Sequence, residues 1–442
     1  MTHQAGTASD QMTTGQLGGL RRVTSAITDK VRATEVDLRQ FGMVVALVLI
    51  WVALGIAAPE IISPVSFLTF SVQTAGIAVL ATGMVLVIVA RNIDLSVGSV
   101  VGFIGMVYAV TMANVFPGLI GINHPLAWVF ALAIGLVVGI VIGAIQGFLI
   151  AYLEIPSFVV TLGGLFLFRG LIWQLSGGTT VAPTDPTFNL IGGGPEGSLG
   201  GPLSWVFGLV LSAATVYLLV SARRQRQKFG FPLRPMWAEL LIGILALAVI
   251  IGGVYTANSY YWPSGLATQY ALKHGIQEPP GGLQIQAGIP FPLIIVIAVT
   301  IFMTFLATRR RFGRDIYAYG GNPQAADLAG INTRWTIMKI FILMGILCAI
   351  SAAIAAARLA SGTLDLGTGY ELYVIAAAVI GGTQFAGGVG SISGAILGAL
   401  VMQSIQYGLS FLQFNSPQIN MVLAFVLVAV VGVDQWARRR AR

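Results

Sequence analysis

Charged side chains inside or at the edge of long apolar runs are where this sequence could do chemistry. The clearest are Asp94, Arg169 and Glu371. A charge in hydrocarbon is costly unless it is paired or hydrated, so each is a candidate for function. We expect Asp94 to cap the helix that follows it, with Arg91 as a local partner and Ser96 as a second cap, and the alternative role is gating or lining a pathway. Arg169 is expected to pair structurally, and Glu371 to occupy the first turn of its helix, where the helix dipole favours a negative charge.

Catalytic and nucleotide-binding patterns are missing from the sequence. It contains no Gly-x-x-x-x-Gly-Lys-Ser/Thr, and no lysine follows a glycine, so it has no P-loop. The three histidines (His3, His124 and His274) lack metal-ligand spacing, and the single cysteine, Cys348, can form neither an internal disulfide nor a Cys-based metal cluster. No nucleophile–base pairing is apparent either. The sequence therefore predicts neither an enzyme nor a metal site.

Composition places these residues in a membrane. Of 442 residues, 56% are hydrophobic and 9% charged, whereas a soluble domain carries roughly 25% charged residues to hydrate its surface. The 55 glycines suit membrane helices, which use small residues to approach closely. The net charge of +8 lies in loops between apolar runs, so it indicates membrane orientation and not nucleic-acid binding.

About twelve segments satisfy the bilayer requirement of roughly 20 apolar residues per helix. They lie near 41–58, 66–90, 97–115, 126–151, 158–175, 203–221, 237–255, 291–308, 336–357, 372–385, 391–411 and 419–436. The third and the tenth are the weakest, because they are short or rich in glycine. The sequence predicts an all-α polytopic membrane protein: a polar arm at 1–40, a transmembrane domain at 41–436 and a basic tail at 437–442.

Lysines and arginines occupy alternate loops. If the N-terminus is cytoplasmic and each span crosses once, the groups at 21–39, 223–234, 309–339 and 438–442 all fall inside. This asymmetry predicts that both termini are cytoplasmic and that the number of spans is even. Two long segments rich in glycine and proline, 176–202 and 256–290, then lie outside, either as linkers or as a docking surface for an external partner.

The cytoplasmic loop at 309–335 contains a short predicted helix. Pro323 suits its first turn and Asn322 its N-cap, while Gly330 ends it. Such a helix is too short to span and has a small apolar face, so it suits insertion into a groove of another protein. Composition alone equally allows a basic loop that happens to be helical.

Motifs in order along the chain resemble the permeases of ABC sugar importers of the ribose and xylose type. They are Ile93-Asp-Leu-Ser-Val-Gly-Ser99, Ile155-Pro-Ser-Phe-Val-Val-Thr-Leu-Gly163, Phe168-Arg-Gly170, Gly320-Gly-Asn-Pro-Gln-Ala-Ala-Asp-Leu-Ala-Gly-Ile-Asn332, Gly369-Tyr-Glu-Leu372 and Ile380-Gly-Gly-Thr-Gln-Phe-Ala-Gly-Gly-Val-Gly390. The resemblance runs from about Phe41 to the C-terminus. It implies a subunit of the bacterial inner membrane that imports monosaccharides.

The same resemblance implies the partners. A separate cytosolic ATPase would bind ATP and Mg, and this chain would bind no cofactor itself. A sugar-binding protein would dock outside, and two permease copies would enclose one pathway in the lipid bilayer. The ATPase would dock on the coupling segment: Gly320, Gly321, Asn322, Pro323, Ala325, Ala326, Leu328, Ala329, Gly330 and Ile331.

Departures from the ribose-type pattern narrow the range of candidate sugars. Arg91-Asn92 stands where ribose-type members usually have Gly-Gly, and Tyr373-Val374 where they tend to have Asp-Ala. The segment 203–255 adds a hairpin of two spans to a ten-helix family core. The xylose-type permeases are resembled by Arg91-Asn-Ile-Asp-Leu-Ser96, Phe229-Gly-Phe-Pro-Leu-Arg-Pro235 and Ala257-Asn-Ser-Tyr260, whereas Tyr373-Val374 disfavours ribose. We therefore expect D-xylose as cargo, with another pentose or hexose, or a nucleoside, as the alternative.

Sugar recognition combines hydroxyl-binding side chains with aromatic faces. The candidates for the pathway are Gln73, Thr74, Asp94, Ser96, Phe166, Gln174, Tyr370, Thr383 and Gln384. Polar side chains in membrane helices also serve as hydrogen-bond links between helices, which is the competing interpretation for each. A proton- or sodium-coupled transporter would need ionisable residues buried in mid-span, and an integral-membrane enzyme a cluster of His, Asp or Glu. Apart from Arg169, the charges stand at span ends, which disfavours both.

Overall fold

A computed structural model describes residues 38–121 and 124–441, and these are folded mainly into helices. In chain order the helices are α1 (Leu38–Ala57), α2 (Pro64–Val89), α3 (Val97–Val110), α4 (Phe116–Leu119), α5 (Ala127–Ala151), α6 (Ser157–Ser176), α7 (Pro186–Asn189), α8 (Gly201–Lys228), α9 (Met236–Asn258), α10 (Ser264–His274), α11 (Phe291–Arg309), α12 (Arg311–Gly321), α13 (Pro323–Leu328), α14 (Thr333–Leu359), α15 (Tyr370–Ile380), α16 (Ile392–Phe411) and α17 (Ser416–Ala441). A π-helical turn, Thr111–Val115, joins α3 to α4. The polar arm predicted at 1–40 lies almost wholly outside the described residues.

Ten helices in the described part of the chain are long and apolar enough to cross a membrane. They coincide with the first nine predicted spans and the eleventh. The polytopic all-α fold is therefore confirmed, whereas the count of twelve and the cytoplasmic termini stay predictions. The twelfth predicted span falls on α17, of which Ser416–Val426 is the apolar part.

The bounds predicted for the tenth span, 372–385, are wrong. The helix there, α15, has 11 residues and is capped by Gly381, and Gly382 follows with φ of +106°. At 1.5 Å per residue it is about 16 Å long, roughly half of a bilayer core. A Cβ on Gly381 would lie 2.4 Å from the backbone of Gly394 in α16, so the chain turns where two glycines let the backbones touch.

Two helices form the centre of the larger compact unit, which comprises residues 42–204 and 255–442. They are α2 and α14, whose most apolar stretches are 89% and 78% buried. The glycines Gly139, Gly143 and Gly147, one turn apart on α5, lie against the backbone of α14. Small residues at this spacing let two membrane helices approach until their backbones touch.

The predicted hairpin at 203–255 comprises α8 and α9. Residues Trp205–Val254 form most of a second compact unit. The two helices run antiparallel: Gly208 packs against Val254, and Arg223 near the turn forms an ion pair with Glu239. The domain bounds themselves stay predictions.

Candidate functional site

The coupling segment includes the end of α12, the single residue Asn322 and all of α13. The end of the larger unit where these helices lie is called the coupling end. Here α12 ends at Gly321 and α13 begins at Pro323. The Asn322 side-chain oxygen accepts a hydrogen bond from the Ala325 backbone N–H at 3.0 Å, so Asn322 is the N-cap, as predicted. Gly330 follows in the left-handed region with φ of +77°, which favours glycine.

One side of α13 is covered and the other is open. Ala326 is buried against the unit, whereas Leu328 is 90% exposed. Ala325, Ala329 and Gly330 are also exposed, and Ile331 is half-buried. A leucine this exposed beside a capped helix gives a partner protein an apolar contact.

Two loops from elsewhere in the chain contact the end of α12. Arg91, in the link 90–96 between α2 and α3, donates from Nε to the Gly320 carbonyl oxygen at 2.7 Å and from Nη2 to that of Gly321 at 2.9 Å. The Gly388 N–H donates to the Val89 carbonyl oxygen at 2.9 Å, and the Tyr317 hydroxyl to that of Gly390 at 2.9 Å. The expected pairing of Arg91 with Asp94 is wrong, because the guanidinium lies against the carbonyl end of α12 instead.

A buried polar network begins three residues beyond Arg91, at Asp94. Asp94 Oδ1 accepts from the Ser96 N–H at 2.9 Å and from the Ser96 hydroxyl at 2.7 Å, and Gln146 Nε2 donates to Ser96 Oγ at 2.8 Å. Asp94 and Ser96 are both buried. Burial raises the pKa of the Asp94 carboxyl, and the hydrogen bonds from Ser96 partly oppose this.

The capping roles expected near Asp94 are also wrong in detail. The helix α3 begins at Val97, and Ser96 occupies its N-cap position without a side-chain capping bond. Asp94 instead closes the turn that precedes the helix. Its carboxylate is held three residues before the start of α3, with its hydrogen bonds directed to Ser96.

Arg169 stabilises a non-helical segment between α14 and α15. Its Nη1 donates to the Leu366 carbonyl oxygen at 3.0 Å and lies 3.5 Å from that of Leu364. Irregular backbone at membrane depth needs internal hydrogen-bond partners, and Arg169 supplies one. The expected structural role of Arg169 is confirmed, as is the position of Glu371 in the first turn of α15.

The pathway candidates do not converge on one place. Asp94 and Ser96 lie in the buried network, and Tyr370 packs close to Gly98 at the start of α3. Thr74 is buried and bonds the Phe70 carbonyl oxygen within α2 at 2.7 Å. Of the remaining five candidates, Gln73 lies in α2, Phe166 and Gln174 on the exposed side of α6, and Thr383 and Gln384 in the loop after α15. Their roles stay predictions.

Two cavities of the larger unit carry polar side chains. One, of about 690 Å³, is lined by Gln73 together with Asn189, Tyr260 and Arg358. The other, of about 1020 Å³, lies at the coupling end and is lined by residues 91–93 and by parts of 150–158 and 327–337. An exposed ion pair between Arg334 and Glu154, at 3.1 Å, links two segments that line it.

Sequence reasoning missed Gln146. It is a lone amide in the apolar stretch Gly143-Ala-Ile-Gln-Gly147, and that isolation was the available signal. A buried amide in a membrane helix needs a partner. Its partner is Ser96, in the link before α3, and that pairing depends on the fold.

Comparisons with known proteins match this chain to transport permeases along most of its length. The profile of the family described as "branched-chain amino acid transport system / permease component" matches residues 66–219 and 188–431. The chain is 34% identical over 369 residues to the xylose transport system permease protein XylH of Escherichia coli K12, covering 84% of each chain. It is 33% identical over 405 residues to XylH of Haemophilus influenzae, covering 90% of this chain and 97% of that one. The L-arabinose transport system permease protein AraH of E. coli K12 is 26% identical over 403 residues, covering 91% and 92%. No solved structure matches the chain significantly.

Proposed function

This chain belongs to the permease family described as the permease component of branched-chain amino acid transport systems, and from that membership we propose that it carries D-xylose across the inner membrane in an ATP-driven importer. It is a transport subunit and not an enzyme. The assignment of D-xylose as the cargo rests on similarity along most of the chain. One relative that is 34% identical over 84% of the chain and another that is 33% identical over 90% of it are both named xylose permeases. The arabinose permease shares 26% over a similar length.

The exposed side of α13 is the surface through which ATP hydrolysis would be coupled to transport. We propose that a cytosolic ATPase subunit, which holds ATP and Mg, takes Leu328 and the neighbouring small residues into a groove on its surface. The exposed Leu328 and the Asn322 cap support this assignment, since one offers an apolar anchor and the other fixes the helix that presents it. The ATPases close on ATP, and the coupling segment moves with them.

The sugar then follows the alternation of the permease between two states. A sugar-binding protein docks on the outer face and releases its cargo to the outward-facing state. We propose that two copies of the permease, embedded in lipid, enclose the pathway between them. The nine pathway candidates are the residues at which we expect contact with the sugar hydroxyls or ring.

The test uses a substitution at the exposed leucine. Leu328→Asp places a charge in the proposed groove and leaves the buried side of α13 unchanged, so the permease should fold but lose its ATPase in co-purification. Leu272→Asp is the matched control: it is 78% exposed, in α10 of the predicted outer loop, and should keep the ATPase. Proteoliposomes with binding protein outside and ATP inside should take up radiolabelled D-xylose with the native chain and not with Leu328→Asp.

Each result has a definite meaning. Uptake by the chain alone, driven by a proton or sodium gradient, would refute the ATP-driven assignment. If the ATPase binds and turns over but D-xylose does not move, xylose is not the cargo, and the assay is repeated with ribose, arabinose and galactose. ATPase retention by Leu328→Asp at the level of the control would refute the docking site.

A further inference from the structure

Arg91 has a backbone conformation that is unfavourable for its residue type. Its φ is +60°, in the left-handed region, where glycine is comfortable and a residue with a Cβ pays roughly 1 kcal/mol. It lies directly after α2, at the start of the link 90–96. Glycine would satisfy the turn by itself, so the arginine side chain must contribute something that the turn does not need.

That side chain joins three segments. Its guanidinium binds the carbonyl oxygens of Gly320 and Gly321, the last two residues of α12 and the first of the coupling segment. Its stem lies over Gly387, where a Cβ would come 2.4 Å from Arg91 Cγ. The carbonyl end of a helix carries partial negative charge, and hydrogen bonds from a cation to it are stronger than neutral ones. Arg91 is therefore bound to the end of α12, immediately before the Asn322 cap of α13.

The backbone that follows Arg91 is held along its length. The Ile93 N–H donates to Ser157 Oγ at 3.2 Å, and the Ile93 carbonyl oxygen accepts from the Thr161 hydroxyl at 3.2 Å. Asp94 and Ser96 come next, with Gln146 bonded to Ser96. The link is short and hydrogen-bonded at successive residues, so a displacement of one end reaches the other.

We propose that Arg91 transmits movement of the coupling segment to the buried turn at Asp94–Ser96, which makes it a positioning residue for transport. The inference rests on the proposed docking of an ATPase on α13, and it does not depend on which sugar is carried. The Tyr317 hydroxyl also holds α12 in place, but its partner is Gly390 in the loop after α15. Arg91 is the contact that leads into the Asp94 turn.

The chain contains its own reporter for this movement. Cys348 is the only cysteine, it is buried in α14, and its Sγ lies 3.9 Å from the Val97 carbonyl oxygen at the start of α3. A shift of the Asp94–Ser96 turn uncovers or covers this thiol. Its rate of alkylation by a membrane-permeant maleimide, followed on the Cys348 peptide by mass spectrometry, therefore reports the turn without any sugar present.

The experiment compares the complex of permease and ATPase without nucleotide and with ATP trapped by vanadate. Arg91→Gly removes the guanidinium and also relieves the strained backbone, so the fold is retained. Arg91→Lys is the second variant, since it keeps the charge and only one of the two hydrogen bonds. Arg311→Gln is the matched control, because Arg311, the first residue of α12, has an 80% exposed side chain and a 3.8 Å contact to Asp315 within the same helix.

We expect ATP trapping to change the alkylation rate about fivefold or more in the native complex and in Arg311→Gln, which is the usual range of coupling between two sites. Arg91→Gly should bind the ATPase and hydrolyse ATP with less than about a twofold change in alkylation, and Arg91→Lys should lie between. A full ATP-dependent change in Arg91→Gly would overturn the proposal, as would no change in the native complex. Loss of ATPase binding in Arg91→Gly and Arg91→Lys would also overturn it, since Arg91 would then serve assembly. Failure of xylose uptake alone would leave this result intact and reject only the cargo.

Discussion

Gly143 of α5 lies against the backbone of α14, and alanine in its place should push the two helices apart. A Cβ built on Gly143 lies 2.2 Å from the Phe341 carbonyl oxygen and 2.8 Å from Ile342 Cα. Ordinary van der Waals contact begins at 3.4 Å. The neighbouring atoms are backbone, which cannot rotate away as a side chain can. One helix must therefore move by about 1 Å, and Gly139 and Gly147 lose their close contacts in the same movement.

The expected cost follows from two opposing terms. Overpacking a well-packed interface by one methyl group costs about 1–3 kcal/mol. Alanine is a better helix former than glycine, which returns about 1 kcal/mol. We therefore expect the free energy of unfolding of Gly143→Ala to fall by as much as about 2 kcal/mol.

The control is a glycine-to-alanine substitution at another helical position, where alanine brings the same gain in helix propensity but its Cβ meets no neighbouring atom. Gly163 of α6 is helical, and a Cβ there meets nothing within 4 Å. Gly163→Ala should be neutral or stabilising. Thermal unfolding in detergent can be followed with a maleimide dye that fluoresces on reaching Cys348, since this thiol is buried in the native state. A loss of 1 kcal/mol corresponds to at most about 2–4 °C in the midpoint for a chain of this size.

A Gly143→Ala protein that unfolds above the native temperature would refute the reasoning, because it would mean that α5 and α14 do not meet at backbone contact. An equal loss in Gly143→Ala and Gly163→Ala would refute it too, since the loss would then come from glycine itself and not from the interface.

Three further substitutions test single contacts. Asp94→Asn keeps an acceptor for Ser96 and removes a buried charge, so its unfolding midpoint should stay near the native one, while Asp94→Ala should lower stability by about 1–3 kcal/mol in the same thermal assay. Asn322→Ala removes the cap of α13 at a cost of about 1 kcal/mol, which should weaken ATPase binding about fivefold in a titration. Arg169→Leu should leave the Leu366 carbonyl without its donor and lower the unfolding midpoint by an amount equivalent to about 1.5–3 kcal/mol. In each case an unchanged value for the disruptive variant would contradict the contact.

Hydropathy was enough to predict most of the bundle. Apolar runs of sufficient length mark helices whatever their neighbours are, so nine consecutive spans and the eleventh were located from composition. The tenth was misplaced because the apolar run continues through Gly381 and Gly382, where the helix stops. Hydropathy records the composition of a stretch. It does not record that Gly381 approaches Gly394, which is a property of the packed fold.

Local sequence signals predicted the structure of α13 correctly but did not predict the contacts around Asp94. The Asn322 cap and the stop at Gly330 depend on residues within a few positions, so the sequence predicted them. The partners of the Asp94 region are distant: Arg91 bonds Gly320, 229 residues away, and Gln146 bonds Ser96, 50 residues away. A single sequence suggests the nearest opposite charge as a partner, and here that choice was wrong.

Asp94 is buried and Glu371 is half-buried, and the starts of two helices explain how the bundle holds both carboxylates. The helix α3 begins at Val97 and α15 at Tyr370, and both starts are packed inside the unit, since a Cβ on Gly98 would touch the Glu371 carboxylate and the Gly367 carbonyl oxygen. The positive ends of two helix dipoles thus lie near Asp94 and Glu371, and the effect of a dipole is confined to its first turn. Continuous helices would have left these carboxylates without that compensation. Interrupting the helices stabilises the charges, and it also places the non-helical link 360–369 against α3, where a Cβ on Gly98 or Gly102 would touch its backbone. Backbone links can change conformation without breaking a helical ladder, so the residues that a moving coupling segment can shift at least cost are those that follow Arg91.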